Sequence, residues 1–170
     1  MADTTIRAAT RADLPRLTEI YNHYVINTPI TFDLEPLTVE ARRPWFEEHS
    51  ERGRYRLLVA VEDGVVIGYA TTGRFRVKRA YDPTVDSSIY CASDAMGRGV
   101  GSMLYTALFE AIANEDINRI VAGVTLPNDA SLALHQRFGF RVVGTFTEIG
   151  RKLGRFWDVM QLERPLKIAT

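Results

Sequence analysis

Residues that build cross-links and metal centres are scarce in this chain. Its 170 residues include one cysteine and three histidines. The single Cys91 excludes a disulfide within the chain, which is typical of a reducing compartment. His23, His49 and His135 are scattered without nearby cysteines, so their spacing indicates no metal site. We therefore expect a protein that binds no metal and is located in the cytoplasm.

An excess of one charge and long apolar runs are also missing. Lys and Arg number 21, as do Asp and Glu, which gives a formal net charge of +0. A balanced surface lacks the basic face of a nucleic-acid or anionic-membrane binder, and no apolar run is long enough to cross a bilayer. Residues 1–9 lack the charged-then-apolar pattern of a secretory signal. The sequence predicts no nucleic-acid partner, no membrane partner and one domain over residues 1–170.

The chain does contain a regular succession of strand and helix patterns. Strand patterns cover residues 6–9, 55–61, 65–72, 85–92, 120–125, 140–146 and 157–162, and helical patterns cover residues 14–24, 39–51, 104–112 and 129–138. The sequence Glu62-Asp63-Gly64 between two of the strands is a strong hairpin signal. Asn128 is placed to cap the last helix. This order predicts an α/β fold with a mixed sheet.

The most informative segment is a glycine-rich turn between the fourth strand and the third helix. Gly97, Gly99 and Gly101 alternate there, so the backbone can adopt positive φ and direct several N–H groups at one point. The helix that follows adds its own unpaired N–H groups and the positive end of its dipole. The pattern predicts a binding site for a phosphate or pyrophosphate.

The residues alone do not identify the phosphate compound. A nucleoside triphosphate loop would end in Gly-Lys followed by Ser or Thr, and the chain has no such sequence. A dinucleotide loop would follow the first strand with Gly-x-Gly-x-x-Gly spacing, whereas this turn lies mid-chain with a different spacing. A plain flexible turn remains the simplest alternative.

Six short motifs follow one another along the chain, at residues 20–22, 28–32, 81–87, 97–102, 126–140 and 150–159. In this collinear order they resemble the GNAT acetyltransferase superfamily and, within it, the phosphinothricin and methionine sulfoximine N-acetyltransferases. Each is weak alone, and the ordered set covers nearly the whole chain. The resemblance implies a single-domain GNAT-like fold whose mixed, mostly antiparallel central sheet is flanked by about four helices.

The resemblance further implies direct transfer of an acetyl group from acetyl-CoA, the co-substrate, to the amine of a small amino-acid-like molecule. The implied cofactor-binding residues lie on the fourth strand, in the glycine turn and before the last helix: Ile89, Tyr90, Cys91, Met96, Gly97, Arg98, Gly99, Val100, Gly101, Ser102 and Asn128. Main-chain pairing with the strand would also present an N–H to the thioester oxygen. Met96 stands where the family usually has Gln or Arg.

Two residues are the implied catalytic groups. Asp86, at the position of a family Glu, can take the proton that an α-ammonium group must lose before it attacks. His135 occupies the place of a Tyr in most of the superfamily and can serve either the amine or the thiolate. Which of the two is the general base stays open. Cys91 is expected to pack rather than react, and Tyr105 to be structural.

A substrate pocket and a dimer are the remaining expectations. The carboxylate of an amino-acid substrate is bound best by the bidentate guanidinium of an Arg. Arg76 is the best match to the family's basic residue. Strand alternation puts Arg74 on the same side. Phe32 and Phe75 are expected to wall the pocket, together with Asp86. The resemblance implies a homodimer, with which exposed aromatics such as Trp157 are compatible.

Two alternatives to this function remain open. The acceptor can be another amine, such as a polyamine, an aminoglycoside or a protein N-terminus. A strongly cationic acceptor would require an acidic pocket, and the neutral surface and the cluster of Arg residues argue against one. The protein can also be a non-catalytic acyl-CoA sensor, an alternative motivated by Met96 and by Asp86 in place of Glu.

Overall fold

The computed structural model describes residues 3–167, in which seven strands form one sheet and four α-helices pack against it. The helices are α1 (Leu14–Asn27), α2 (Val39–Glu47), α3 (Val100–Ala111) and α4 (Asp129–Arg137). The strands are β1 (Thr5–Ala8), β2 (Leu57–Glu62), β3 (Val65–Arg74), β4 (Thr84–Cys91), β5 (Arg119–Thr125), β6 (Arg141–Lys152) and β7 (Arg155–Pro165). Residues 1–2 and 168–170, the two ends of the predicted domain, lie outside the described residues.

The sheet is mixed and mostly antiparallel, as expected. Its strand order is β1-β2-β3-β4-β5-β7-β6. Among the strand pairs of residues 3–167, β4 and β5 are the one parallel pair, and the others are antiparallel. The predicted fold class and the four helices are therefore confirmed.

Local sequence explains the β2–β3 hairpin. Asp63 and Gly64 have φ values of 49° and 79°. Two successive residues with positive φ form the turn type whose twist matches that of the flanking strands, and Asp-Gly is one of its preferred sequences. The predicted hairpin is confirmed.

The helices cover both faces of the sheet and bury its core. On one face lies α3, whose Leu104, Tyr105 and Leu108 are fully buried. Full burial of one large apolar side chain contributes about 1.5–3 kcal/mol. On the other face lies α1, whose Leu17, Ile20 and Tyr24 recur at helical spacing and are buried. No helix among residues 3–167 combines the length and apolar character that a bilayer crossing requires.

Several predicted boundaries are wrong, among them those of the second helix and of the last two strands. The second helix ends at Glu47 and not at residue 51, because Ser50 N–H donates to Tyr55 C=O and the chain turns there. The last two strands are longer than residues 140–146 and 157–162. Their antiparallel pairing runs on through two register shifts to a turn at Leu153 and Gly154, whose φ values are positive.

Candidate active site

The site begins where β4 and β5 separate. The two strands pair at Thr84–Arg119, Val85–Ile120 and Asp86–Val121 and no further along the described chain. Beyond that point β4 remains paired with β3, and β5 with β7. The carboxyl half of β4 therefore has a free edge that faces a wedge-shaped opening, which we call the slot.

Main-chain groups of β4 face this slot. Ala92 N–H donates to Ile67 C=O in β3 at 2.8 Å. Because successive residues of a strand direct their main-chain groups to opposite sides, those of Ile89 and Cys91 point away from β3 and into the slot. Tyr24 O–H donates to Cys91 C=O at 2.6 Å and fixes the end of the strand. By the same alternation the main chain of Tyr90 faces β3, and its ring packs against the rings of Tyr21 and Tyr24 in α1.

A small cavity of about 50 Å³ occupies the slot. It is bounded by residues of β4, β5, α3 and α4, among them Ser87, Tyr90, Tyr105, Asn128 and His135. Asn128 caps α4, since its Oδ1 accepts from Ser131 N–H at 3.1 Å. The cap leaves the amide NH₂ of Asn128 available to a ligand.

The glycine turn lies between the end of β4 and α3. Gly99 has a φ of 83°, a left-handed conformation that favours glycine, and is the N-cap of α3. Ser102 and Met103 N–H both donate to Gly99 C=O. The amides of Val100 and Gly101 precede these first helical bonds, so they are free to bind an anion at the positive end of the helix.

Cations flank this turn. Arg98 pairs with Glu62 at 2.5 and 2.6 Å, which ties the turn to the β2–β3 hairpin. Arg137 donates to Ser102 Oγ at 3.1 Å, so α4 contributes a guanidinium that the sequence reasoning missed. Met96 is 55 % exposed, and its sulfur lies 3.9 Å from the Tyr24 hydroxyl.

His135 is buried, and both of its ring nitrogens are hydrogen-bonded. Nδ1 lies 2.7 Å from Ser131 C=O, which can only accept, so Nδ1 carries the proton. Nε2 then accepts from Tyr105 O–H at 2.9 Å. The Tyr105 oxygen lies 3.5 Å from Ser87 Oγ on β4. Burial lowers the pKa of His135, which keeps the ring neutral near pH 7, and burial raises the pKa of Tyr105.

Asp86 lies on the opposite face of the sheet from this network. Ser87 faces Tyr105, and its neighbour Asp86 therefore faces α1 and α2. Burial raises the pKa of Asp86 to about 6, against a smaller opposing effect of the Ser87 amide. Among residues 3–167 no cation forms an ion pair with Asp86. The structure thus places the two predicted catalytic groups on either side of the strand that borders the slot.

A second cavity, of about 240 Å³, lies under α1 and α2, and we call it the α1–α2 cavity. It shares Ser88 and Tyr90 with the slot cavity. Its cation is Arg42, which the sequence reasoning missed and which is only 5 % exposed. The available signal was an Arg three residues before Trp45 on one face of a predicted helix.

The predicted substrate residues fall into two places. Phe32 packs against β6, where a Cβ added to Gly150 would lie 2.1 Å from the ring. Phe75 and Arg76 follow the end of β3, so the strand alternation that groups Arg74 with Arg76 does not reach Arg76. The guanidinium of Arg76 lies 4.9 Å from the Phe75 ring centre, and neither residue lines the slot cavity or the α1–α2 cavity.

Other predicted features of the site have these positions. Burial raises the pKa of the Cys91 thiol to about 11, and a protonated thiol is a poor nucleophile. Tyr105, expected to be structural, is both a core residue and the hydrogen-bond donor to His135. In the part of the chain that the structure describes, no three His, Cys, Asp or Glu residues are grouped as metal ligands would be.

Comparison with known proteins gives consistent results. The acetyltransferase (GNAT) domain family matches residues 6–161. The chain is 53 % identical over 167 residues to a phosphinothricin N-acetyltransferase of Streptomyces coelicolor, which covers 97 % of this chain and 98 % of the relative. It is 37 % identical over 161 residues to an L-methionine sulfoximine/L-methionine sulfone acetyltransferase of Pseudomonas aeruginosa, with 93 % of each chain covered.

Solved structures agree with this fold. A GNAT superfamily phosphinothricin acetyltransferase of Sinorhizobium meliloti in complex with acetyl-CoA matches with a TM-score of 0.90 and 33 % identity, over 95 % of this chain and 88 % of that chain. These matches extend over almost the whole length, and the names of the matched proteins agree with the resemblance carried by the ordered motifs. The chain belongs to the GNAT acetyltransferase family and is an N-acetyltransferase.

Proposed function

We propose that the protein transfers the acetyl group of acetyl-CoA to the amine of a small amino-acid substrate of the phosphinothricin or methionine sulfoximine type. The observation that carries this proposal is the slot, where the free edge of β4 lies beside the N-terminus of α3, a site suited to an anion. The slot also borders the α1–α2 cavity, which contains the buried cation Arg42. The names of the relatives at 53 % and 37 % identity support the same substrate class.

The residues of the slot fit acetyl-CoA. The main-chain groups of Ile89 and the N–H of Cys91 face the slot and suit an extended arm with amide groups, which would pair as an added strand. The free amides that begin α3, with Arg98 and Arg137 nearby, suit a pyrophosphate. When bound, acetyl-CoA supplies an activated acetyl thioester. Ser102, Asn128 and the remaining turn residues from Met96 onward are proposed to contact it too.

Asp86 is the proposed general base. It is half-buried and has no ion-pair partner among residues 3–167, so its raised pKa gives it the affinity to accept a proton from the substrate ammonium near neutral pH. Tyr105 and His135 are the proposed hydrogen-bonded pair beside the slot, in which His135 keeps the role that the resemblance implies, serving either the amine or the thiolate. The neutral ring of His135 holds the Tyr105 hydroxyl in place. Phe32, Phe75 and Arg76 stay predicted substrate residues around the site.

Thiol release from acetyl-CoA tests this function. Wild-type protein should release CoA thiol with L-methionine sulfoximine and phosphinothricin far faster than with spermidine, kanamycin or an N-terminal peptide. Faster turnover of a polyamine, aminoglycoside or peptide would refute the substrate class. Tight acetyl-CoA binding by calorimetry without turnover of any amine would favour the acyl-CoA sensor.

We also propose that the protein is a homodimer that uses its last hairpin. Strand β6 forms one edge of the sheet. The hairpin of β6 and β7 exposes several apolar side chains: Val142, Val143, Phe146, Ile149, Leu153 and Phe156. Trp157, expected to be exposed, is half-buried and donates to Lys152 C=O, so Phe146 and Phe156 are the exposed aromatics here.

Sedimentation velocity tests the dimer. The wild type should sediment as a dimer and Phe146→Glu as a monomer, because a buried unpaired charge disfavours association. Val77→Glu is the control, since Val77 is 84 % exposed outside the hairpin. A monomeric wild type would refute the proposal. A cytoplasmic location stays a prediction, which cell fractionation can check.

A further inference from the structure

The α1–α2 cavity contains a buried charge that the protein leaves without a counterion. Arg42, in the middle of α2, is 5 % exposed. Among the ion pairs of residues 3–167 none includes Arg42. Its Nε has no hydrogen-bond partner, and the nearest polar contact of its Nη2 is the Tyr69 hydroxyl at 3.5 Å.

Aromatic rings cover the faces of the Arg42 guanidinium, so only its edge is available to bind a ligand. The guanidinium carbon lies 4.2 Å from the ring centre of Tyr21 and 3.9 Å from that of Trp45. Aromatic rings stabilise the cation over their faces but accept no in-plane hydrogen bond. The N–H groups that remain lie in the plane of the fork, in the arrangement that binds a carboxylate with two parallel hydrogen bonds.

We propose that Arg42 binds the carboxylate of the amino-acid substrate. The proposal rests on the proposed function and names a specificity residue for it. The α1–α2 cavity shares Ser88 and Tyr90 with the slot cavity. Ser88 is two residues from Asp86 on the same strand face. A substrate whose carboxylate is held under α2 therefore extends toward the proposed base and the slot.

The other charged groups near the cavity are less suited to this role. Asp33 also lines the cavity, but its carboxylate accepts from Tyr21 O–H at 2.6 Å on the exposed side. Arg76 lies exposed on Phe75 and Tyr81, where water screens its charge. A buried guanidinium gains more from a carboxylate than an exposed one, because its alternative is to remain unpaired.

The test compares two amines that differ only in the carboxylate. L-Methionine sulfone and 3-(methylsulfonyl)propylamine are assayed with wild type, Arg42→Gln, Arg42→Lys and Arg43→Gln. Arg43 is the control, since it is the exposed neighbour in α2. We expect Arg42→Gln to lower kcat/KM for the sulfone by about 30-fold or more and for the decarboxylated amine by less than about 3-fold. Arg42→Lys should be intermediate, because an ammonium offers no bidentate fork.

Several outcomes would overturn the proposal. Equal losses for the two amines would mean that Arg42 only holds α2 in place. A carboxylate-selective loss in Arg76→Gln but not in Arg42→Gln would assign the anchor to Arg76. If the Arg42 variants fail to fold, as judged by loss of acetyl-CoA binding, a crystal of wild type with methionine sulfone decides: a carboxylate away from the guanidinium refutes the role. Absence of turnover of both amines by wild type would instead refute the proposed function, and with it the role of Arg42.

Discussion

Asp86 gives the sharpest test of the proposed chemistry, because its environment fixes both its protonation and the shape of the pH profile. Burial raises the pKa of Asp86 to about 6 from a reference of 3.8. A base must be ionised to accept a proton, so activity should fall as the pH drops through 6. An exposed Asp would instead stay ionised down to about pH 4.

The expected size of the effect follows from this pKa. A group with a pKa near 6 is about one tenth ionised at pH 5 and about nine tenths ionised at pH 7, so its contribution to kcat/KM changes about tenfold. Asp86→Asn should lower kcat/KM at pH 7 by about 10²–10⁴-fold, the usual contribution of a general base. The ratio of wild-type to Asp86→Asn activity should rise between pH 5 and 7, since the substrate amine titrates identically in both assays.

The same residue has an expected effect on stability. A carboxyl whose pKa is raised by folding stabilises the protein in its protonated form, and this contribution is lost as the pH rises through about 6.

The control for the pH profile of kcat/KM is Asp116→Asn, since the Asp116 side chain is 87 % exposed. The kcat/KM of this variant should match that of wild type at every pH. A wild-type rate with an unchanged acid limb in Asp86→Asn would refute the argument and assign the limb to another group such as His135.

Three further perturbations test separate parts of the structure. Gly99→Ala places a side chain at a φ of 83°, at a cost of about 1–2 kcal/mol, so the Kd of acetyl-CoA measured by calorimetry should rise about tenfold. Tyr105→Phe removes the donor to His135 Nε2 and should reduce the free energy of urea unfolding by about 1–3 kcal/mol, with kcat lowered more than KM is raised. Asp13 pairs with Arg7 at 2.7 Å, and this contact lowers its pKa to about 2. The pair should contribute about 1–2 kcal/mol above pH 4, and urea unfolding should show that stability lost as the pH falls toward 2, and absent in Asp13→Asn.

Each of these has its own contradicting result. Gly53 has a φ of 85° and equally open surroundings, so Gly53→Ala should show the strain without loss of acetyl-CoA affinity; equal losses of affinity would mean that Gly99 acts only through stability. Unchanged unfolding of Tyr105→Phe would mean that its hydroxyl gives His135 no net stabilisation. An acid transition of Asp13→Asn that superimposes on wild type would remove the Arg7 pair from the account of acid stability.

The fold was predictable where local chemistry and pattern agree. The Asp63-Gly64 turn forces a hairpin by its own backbone preferences, and the apolar face of α3 predicts a buried helix. The final hairpin was underestimated because glycines such as Gly144 and Gly150 interrupt the alternation. The strands pair through these points by register shifts, which a period of two does not anticipate.

The site was predictable only in part, for a related reason. The glycine turn, Asp86 and His135 are legible because each lies at a recognisable place in one element. The significance of Arg42 and Tyr105 depends on contacts between distant elements. Arg42 reaches Tyr69, 27 residues away, and Tyr105 reaches His135, 30 residues away. No local pattern marks a buried Arg without a partner, because its lack of a partner is a property of the packed chain.

Two uncompensated charges on one face of the sheet connect the proposals. Among residues 3–167 the half-buried Asp86 has no cation paired with it, and the buried Arg42 has no anion. Each costs stability in the free protein, since the low-dielectric interior does not replace the lost hydration. An amino acid carries both complementary charges, an ammonium for Asp86 and a carboxylate for Arg42. Only the ammonium must lose its charge to react. A base whose pKa lies near neutrality can take that proton, whereas an Arg stays ionised and keeps the carboxylate bound. If both proposals hold, binding a substrate of this one charge pattern recovers the stability lost at both positions.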